Sequence, residues 1–164
     1  MLQAREPLRP LFRVMLTLGV VALVILGLGL VTIFRFAPPG EATGLKVRII
    51  GVYPYDTVQH RITGGTSTHF SRSQAFSARV DWSGLPGGVV AGAHWYNALG
   101  EQVGGVGAAP ARALAAQDAL VPVMTPPGLH GNLPGEYTLA VARYSRGQPV
   151  ELLGRAVVLV ERGG

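Results

Sequence analysis

Phe76-Ser77-Ala78-Arg79-Val80-Asp81-Trp82 alternates large or apolar side chains with polar ones, residue by residue. A period of two puts Phe76, Ala78, Val80 and Trp82 on one face and the polar residues on the other, the signature of a half-buried strand. The same rhythm runs outward on both sides. Leu45, Val47 and Ile49 alternate with Lys46 and Arg48. Val89, Ala91, Ala93 and Trp95 alternate with Val90, Gly92, His94 and Tyr96, and Tyr137, Leu139 and Val141 with Thr138, Ala140 and Ala142. Ala156 to Val160 is a continuous apolar run, and Ala119–Met124 reads as a further strand. Gly84-Leu85-Pro86-Gly87-Gly88 and Ser145-Arg146-Gly147-Gln148 supply turns between these segments. Ala108–Ala119 is Ala-rich but broken by Pro110, so a short turn of helix or a loop is expected there. Gly104 to Gly107 reads as a flexible loop. About 120 residues of such strands predict one antiparallel β-sandwich over residues 45–164, with a closed small barrel as the alternative.

Upstream the pattern changes entirely. Val14 to Phe34 is a run of 21 residues without a charge. As a helix it would be about 31 Å long, the thickness of a bilayer core. It is too long for the apolar region of a cleaved signal peptide. The reading is therefore a short basic cytoplasmic arm (1–13), an uncleaved transmembrane helix (14–34), a Pro/Gly linker (35–44) and an extracytoplasmic domain (45–164). Arg9, Arg13 and Arg35 flank the span; the arm's arginines suit the anionic inner leaflet, and a long C-terminal part can translocate whatever its charge. The predicted location is the bacterial cytoplasmic membrane, crossed once, with the domain on the periplasmic side.

The residues from Phe76 to Trp82, Gly88 to Gly100 and Leu133 to Val141 resemble bacterial immunoglobulin-like modules. In those modules a strand ending in W-Y-x-x-x-G precedes an L-P-x-G-x-Y strand, as Trp95-Tyr96 and Leu133-Pro134-Gly135-Glu136-Tyr137 do here. The resemblance implies an immunoglobulin-like sandwich with Trp95 as the core tryptophan and Tyr137 as the corner tyrosine. Trp82 joins them as an expected core residue. It implies a fold and no particular activity.

Composition excludes several chemistries. The chain has no cysteine, which removes disulfide scaffolds, thiol catalysis and thiolate metal sites. Its four histidines (His60, His69, His94, His130) lack metal-site spacing, so no metal or other cofactor is expected. G-x-S-x-G, H-E-x-x-H and a phosphate loop are all missing, so the chain is read as no enzyme. The net charge of +5 is spread as +2 before the span and +3 after it, with no dense basic stripe for nucleic acid. No small-molecule substrate is indicated.

One segment stands out as a partner contact. Tyr53 to Gln74 is polar and long for a connection, and long loops in compact domains tend to carry function. Tyr53, Tyr55, His60, Arg61, His69, Phe70 and Arg72 are its candidate residues, since Tyr and Arg are enriched at interface hot spots. Another strand at Thr57–Thr63 is the equal alternative. Met124–Glu136, with Pro126, Pro127 and Leu129, is a second candidate contact. The expected function is a non-catalytic accessory subunit of a multi-subunit membrane complex, resembling small single-helix subunits of respiratory and photosynthetic complexes. Its partners would be other membrane subunits and the bilayer. The alternative is a membrane-anchored binding module, either an assembly factor or a receptor for a ligand or surface polymer.

Overall fold

The computed structural model describes residues 42–124 and 131–161. The predicted arm, span and most of the linker lie outside those residues, as do Arg9, Arg13, Arg35, Pro126, Pro127, Leu129 and His130. Among the described residues no helix is long and apolar enough to cross a membrane.

The described chain is all-β. Nine strands form in order: β1 (Arg48–Asp56), β2 (Arg61–Ile62), β3 (His69–Phe70), β4 (Phe76–Asp81), β5 (Val90–Tyr96), β6 (Gln102–Pro110), β7 (Leu120–Pro122), β8 (Gly135–Ser145) and β9 (Gln148–Val160). One short helix, α1 (Ala111–Ala116), and a 3-10 turn at Trp82–Gly84 complete the described elements. Four strands make one sheet, in order β2-β1-β4-β7, and five make the other, in order β3-β9-β8-β5-β6. All pairs are antiparallel except β3 with β9. The β8–β9 hairpin closes through Arg146 and Gly147, both at positive φ, the backbone that a tight two-residue hairpin turn requires.

The two sheets face one core. Phe76 of β4 is fully buried at its centre. It stacks on Phe70 at 4.5 Å and meets Trp95 and Tyr137 edge-on at 5.4 and 5.6 Å. Ala78, Val80, Ala91, Ala93, Leu139 and Val141 fill the same layer. Each large polar aromatic finds a partner for its polar end, as burial requires. Trp95 Nε1 donates to the Val121 carbonyl across the core at 2.8 Å, and Trp82 Nε1 to the Ala119 carbonyl at 2.8 Å. The Leu133 backbone hydrogen-bonds the phenol of Tyr137, while burial pushes that phenol's pKa up.

The sheets also meet at both margins. Gly104 of β6 bridges to Val123, and Met124 N–H donates to the Val103 carbonyl at 2.7 Å. Gly104 allows this approach: a Cβ there would lie 2.9 Å from Val123 Cα and run into the Pro122 carbonyl. At the other margin Val47 N–H donates to the Leu153 carbonyl at 3.0 Å.

Three expectations are corrected. Tyr53 and Tyr55 lie in β1, which extends to Asp56, and not in a loop. Pro54 does not break β1, because its backbone faces away from β4 towards the chain after β2, where its carbonyl accepts from Thr63 N–H at 3.0 Å and the ladder with β4 needs no N–H from it. Gly104 to Gly107 belong to β6, since pairing with β5 holds them extended. Phe70 is 2% exposed, so its side chain belongs to the core and offers nothing to a partner.

Candidate interaction surface

The segment singled out in the sequence divides between two places. Tyr53 and Tyr55 stand on the outer face of the four-stranded sheet, because Val52, one residue before Tyr53 in the alternation, points into the core. Tyr53 lies opposite Ser77 and helps seal it from water; Ser77 is 0% exposed. Asp56 Oδ1 accepts from Val58 N–H at 2.8 Å and Gln59 N–H at 3.0 Å, tying the turn between β1 and β2. These bonds, the Gln59 one foremost, hold the Asp56 carboxyl below its usual pKa. His60 adopts a positive φ of 52° in that turn, and its Nδ1 sits 3.3 Å from the Tyr55 hydroxyl. Arg61 follows, exposed, opposite Asp56 in β2.

The remaining candidates belong to the other sheet. His69 is exposed on edge strand β3 and shares the outward face of its partner Leu159. Arg72 acts as a clamp: its Nε donates to the Asn132 carbonyl at 3.2 Å, while its own carbonyl accepts from Asn132 N–H at 2.7 Å. Asn132, missed in the sequence, also donates through Nδ2 to the Gln74 carbonyl at 3.0 Å. These contacts pin the chain before β8 to the chain before β4. Tyr53, Tyr55, His60 and Arg61 therefore make one group and His69 another, with Phe70 and Arg72 structural.

The surface with the most unusual chemistry is the outer face of the five-stranded sheet. Its rows follow from the strand register. Leu159 lies beside Glu136. Val157, Thr138, Tyr96 and Gln102 form the next row. Arg155, Ala140, His94 and Gly105 form the third, and Leu152, Ala142 and Gly92 the fourth. An outward sheet face normally alternates polar residues with the core, yet about half of these positions are small or apolar, with Thr138, Ala140 and Ala142 buried among their neighbours. Arg155 and Glu136 are the charges within them, 3.9 Å apart. Val90, Val157 and Leu159 are 36%, 40% and 42% exposed. With strands about 4.8 Å apart and rows about 6.6 Å apart, the face covers roughly 400 Å².

Polar groups in this face are half-sunk. His94 packs on β6 so closely that a Cβ on Gly105 would approach its Nδ1 to 2.6 Å. That nitrogen is buried with no hydrogen-bond partner among the described residues. Burial pulls the His94 pKa below its ordinary 6.5, against a smaller upward pull from the Gly104 backbone. Tyr144 leans over Gly92, where a Cβ would come within 3.2 Å of its ring, and burial raises its pKa, with Tyr96 adding to the rise. The signal was in the sequence: Val90, Ala140 and Ala142 occupy the outward phase of their strands.

Where the chain enters the domain, it is fixed. Thr43 donates through its N–H and its hydroxyl to the two carboxylate oxygens of Glu151, each at 2.7 Å. Arg143 Nε meets the same carboxylate at 2.8 Å. Thr43 foremost, with help from Arg143, holds the Glu151 carboxyl below its usual pKa. Among the described residues no group of three His, Cys, Asp or Glu side chains could hold a metal ion. Set against known proteins, the chain matches no family model and no curated relative.

Proposed function

We propose that the protein is a non-catalytic accessory subunit of a bacterial multi-subunit membrane complex, of respiratory or photosynthetic type. One helix anchors it, and an extracytoplasmic immunoglobulin-like sandwich lies against a neighbouring subunit. The immunoglobulin-like reading is supported by the strand order β1-β4-β7 against β9-β8-β5-β6. It is supported too by the buried Trp95 on β5 and by the Tyr137 phenol, bonded to a backbone four residues upstream.

The observation that carries the functional reading is the outer face of the five-stranded sheet. Val90, Val157 and Leu159 stand 36%, 40% and 42% exposed on it, apolar side chains that are poor material for a surface that stays in water. Its area of roughly 400 Å² is half of what one partner contributes to a standard interface, so the anchor or a sheet edge would supply the rest. The full chain, extracted in mild detergent, should co-purify with a larger complex at a fixed stoichiometry. Elution of the chain alone as a monomer would overturn the proposal.

A further inference from the structure

Beside this face runs a groove of about 580 Å³ between β1 and β9. Its ends are sealed by backbone bonds: Val47 N–H to the Leu153 carbonyl at one end, Leu159 N–H to the Thr68 carbonyl and Ser67 N–H to the Val52 carbonyl at the other. Between those seals no strand among the described residues pairs with the outer edge of β9. Leu153 and Leu159 both turn their backbone groups away from β8, and a strand repeats every second residue. Arg155 and Val157 therefore point the same way, into the groove. Among the described residues nothing bonds their outward N–H and C=O groups. The opposite lip carries Ile50, the extra residue of a bulge in β1, 42% exposed. Thr66 lines the floor with Ser67 and Thr68.

We infer that this groove takes an extended polypeptide segment of the partner subunit, added as a strand along the β9 edge at Arg155–Val157. The inference rests on the partner-binding reading and names the chemistry of the contact. An open edge offers alternating donors and acceptors that only an extended backbone matches in register. Ile50 and Val157 provide apolar contacts for alternate side chains of that segment. Arg155 is the charged residue lining this edge and is met at 3.9 Å by Glu136, so it favours an acidic residue beside it that competes for the guanidinium. The same charge disfavours a second copy. Two β9 edges paired about Ala156 would bring both Arg155 side chains into diagonal proximity, where like charges repel.

The test uses the full chain in lipid nanodiscs and a fluorescent, acetylated hexapeptide of alternating Glu and Val, read by anisotropy against empty nanodiscs. Saturable binding is expected. Methylating alternate peptide nitrogens should abolish it, and Val157→Pro should weaken it at least tenfold. Proline at 157 removes an outward N–H and no bond to β8, so the fold should survive it. Arg155→Glu should weaken this peptide and strengthen its Lys/Val counterpart. Lack of saturation at millimolar peptide, or equal binding of the methylated peptide, overturns the inference. A peptide-free dimer abolished by Val157→Pro overturns it in favour of a second copy. Undiminished co-purification of the Val157→Pro chain with its complex also overturns the edge contact while leaving the accessory-subunit reading intact. A wild-type chain that binds the peptide yet elutes alone sinks that reading, not the edge.

Discussion

Replacing Val90, Val157 and Leu159 together by Thr should strip the five-stranded face of its apolar grip while sparing the fold. Their exposures of 36%, 40% and 42% leave these fractions for a partner to cover. Complete burial of a Val or Leu side chain stabilises by roughly 1.5–3 kcal/mol, so the three together offer about 2–3.5 kcal/mol on docking. That corresponds to a loss of at most about 30- to 400-fold in affinity, since Thr keeps part of each side chain's apolar surface. Folding should change little, because the three positions are on the surface and Thr is a good strand former. The assay has two arms. The chemical-denaturation midpoint of the variant should stay near that of the wild type. Retention of the complex on the immobilised full chain, titrated against dilution, should fall by the stated factor. Unchanged retention would refute the reasoning, and so would a variant that unfolds, since the three residues would then belong to the core.

Other expectations follow from single sites. Phe76→Ala should cost about 3–5 kcal/mol by denaturant titration, because it empties the centre of the aromatic cluster; a loss under about 1 kcal/mol would contradict the core described. Gly105→Ala should cost about 2 kcal/mol or more, since Gly105 sits at φ +146° and its Cβ would press on His94. His94 gives a pH dependence of definite sign. Its folded pKa is depressed, so its contribution is intact above the unfolded value of 6.5. Below that value the unfolded chain takes up a proton the folded one resists, and stability declines as pH falls through the folded pKa. Wild type should therefore lose stability relative to His94→Gln on acidification below 6.5; a gain would contradict the buried neutral ring. Glu151 has the same sign at lower pH: its clamp on Thr43 is intact above 4.5 and lost as pH falls through its depressed pKa. Hydrogen exchange at the Thr43 amide should accelerate over that range, and Glu151→Ala should accelerate it at every pH.

The strands that alternate cleanly were legible because their inward residues are large and their outward ones polar. Phe76 to Asp81 is the plainest case and became β4. Tyr53 and Tyr55 were misplaced because Pro54 lies between them and signals a break, whereas a backbone position facing away from the β4 ladder tolerates proline. Gly104 to Gly107 carry no propensity for a strand; only pairing with β5 holds them extended. Phe70 looked like a loop aromatic because the strand that buries it is two residues long and pairs with β9, far away in sequence. The apolar face was legible in part. Each strand displays its outward Ala or Val, but only the register sets Arg155, Ala140 and His94 side by side. The open edge of β9 was not legible at all, because a missing neighbour is a property of the fold.

The most direct test of the account is the stoichiometry of the full chain after gentle detergent extraction, measured by size exclusion with mass spectrometry of the peak. The wild-type chain should elute with a larger membrane complex at a fixed ratio, reduced in the Val90→Thr, Val157→Thr, Leu159→Thr variant. A wild-type chain that elutes alone as a monomer would contradict it.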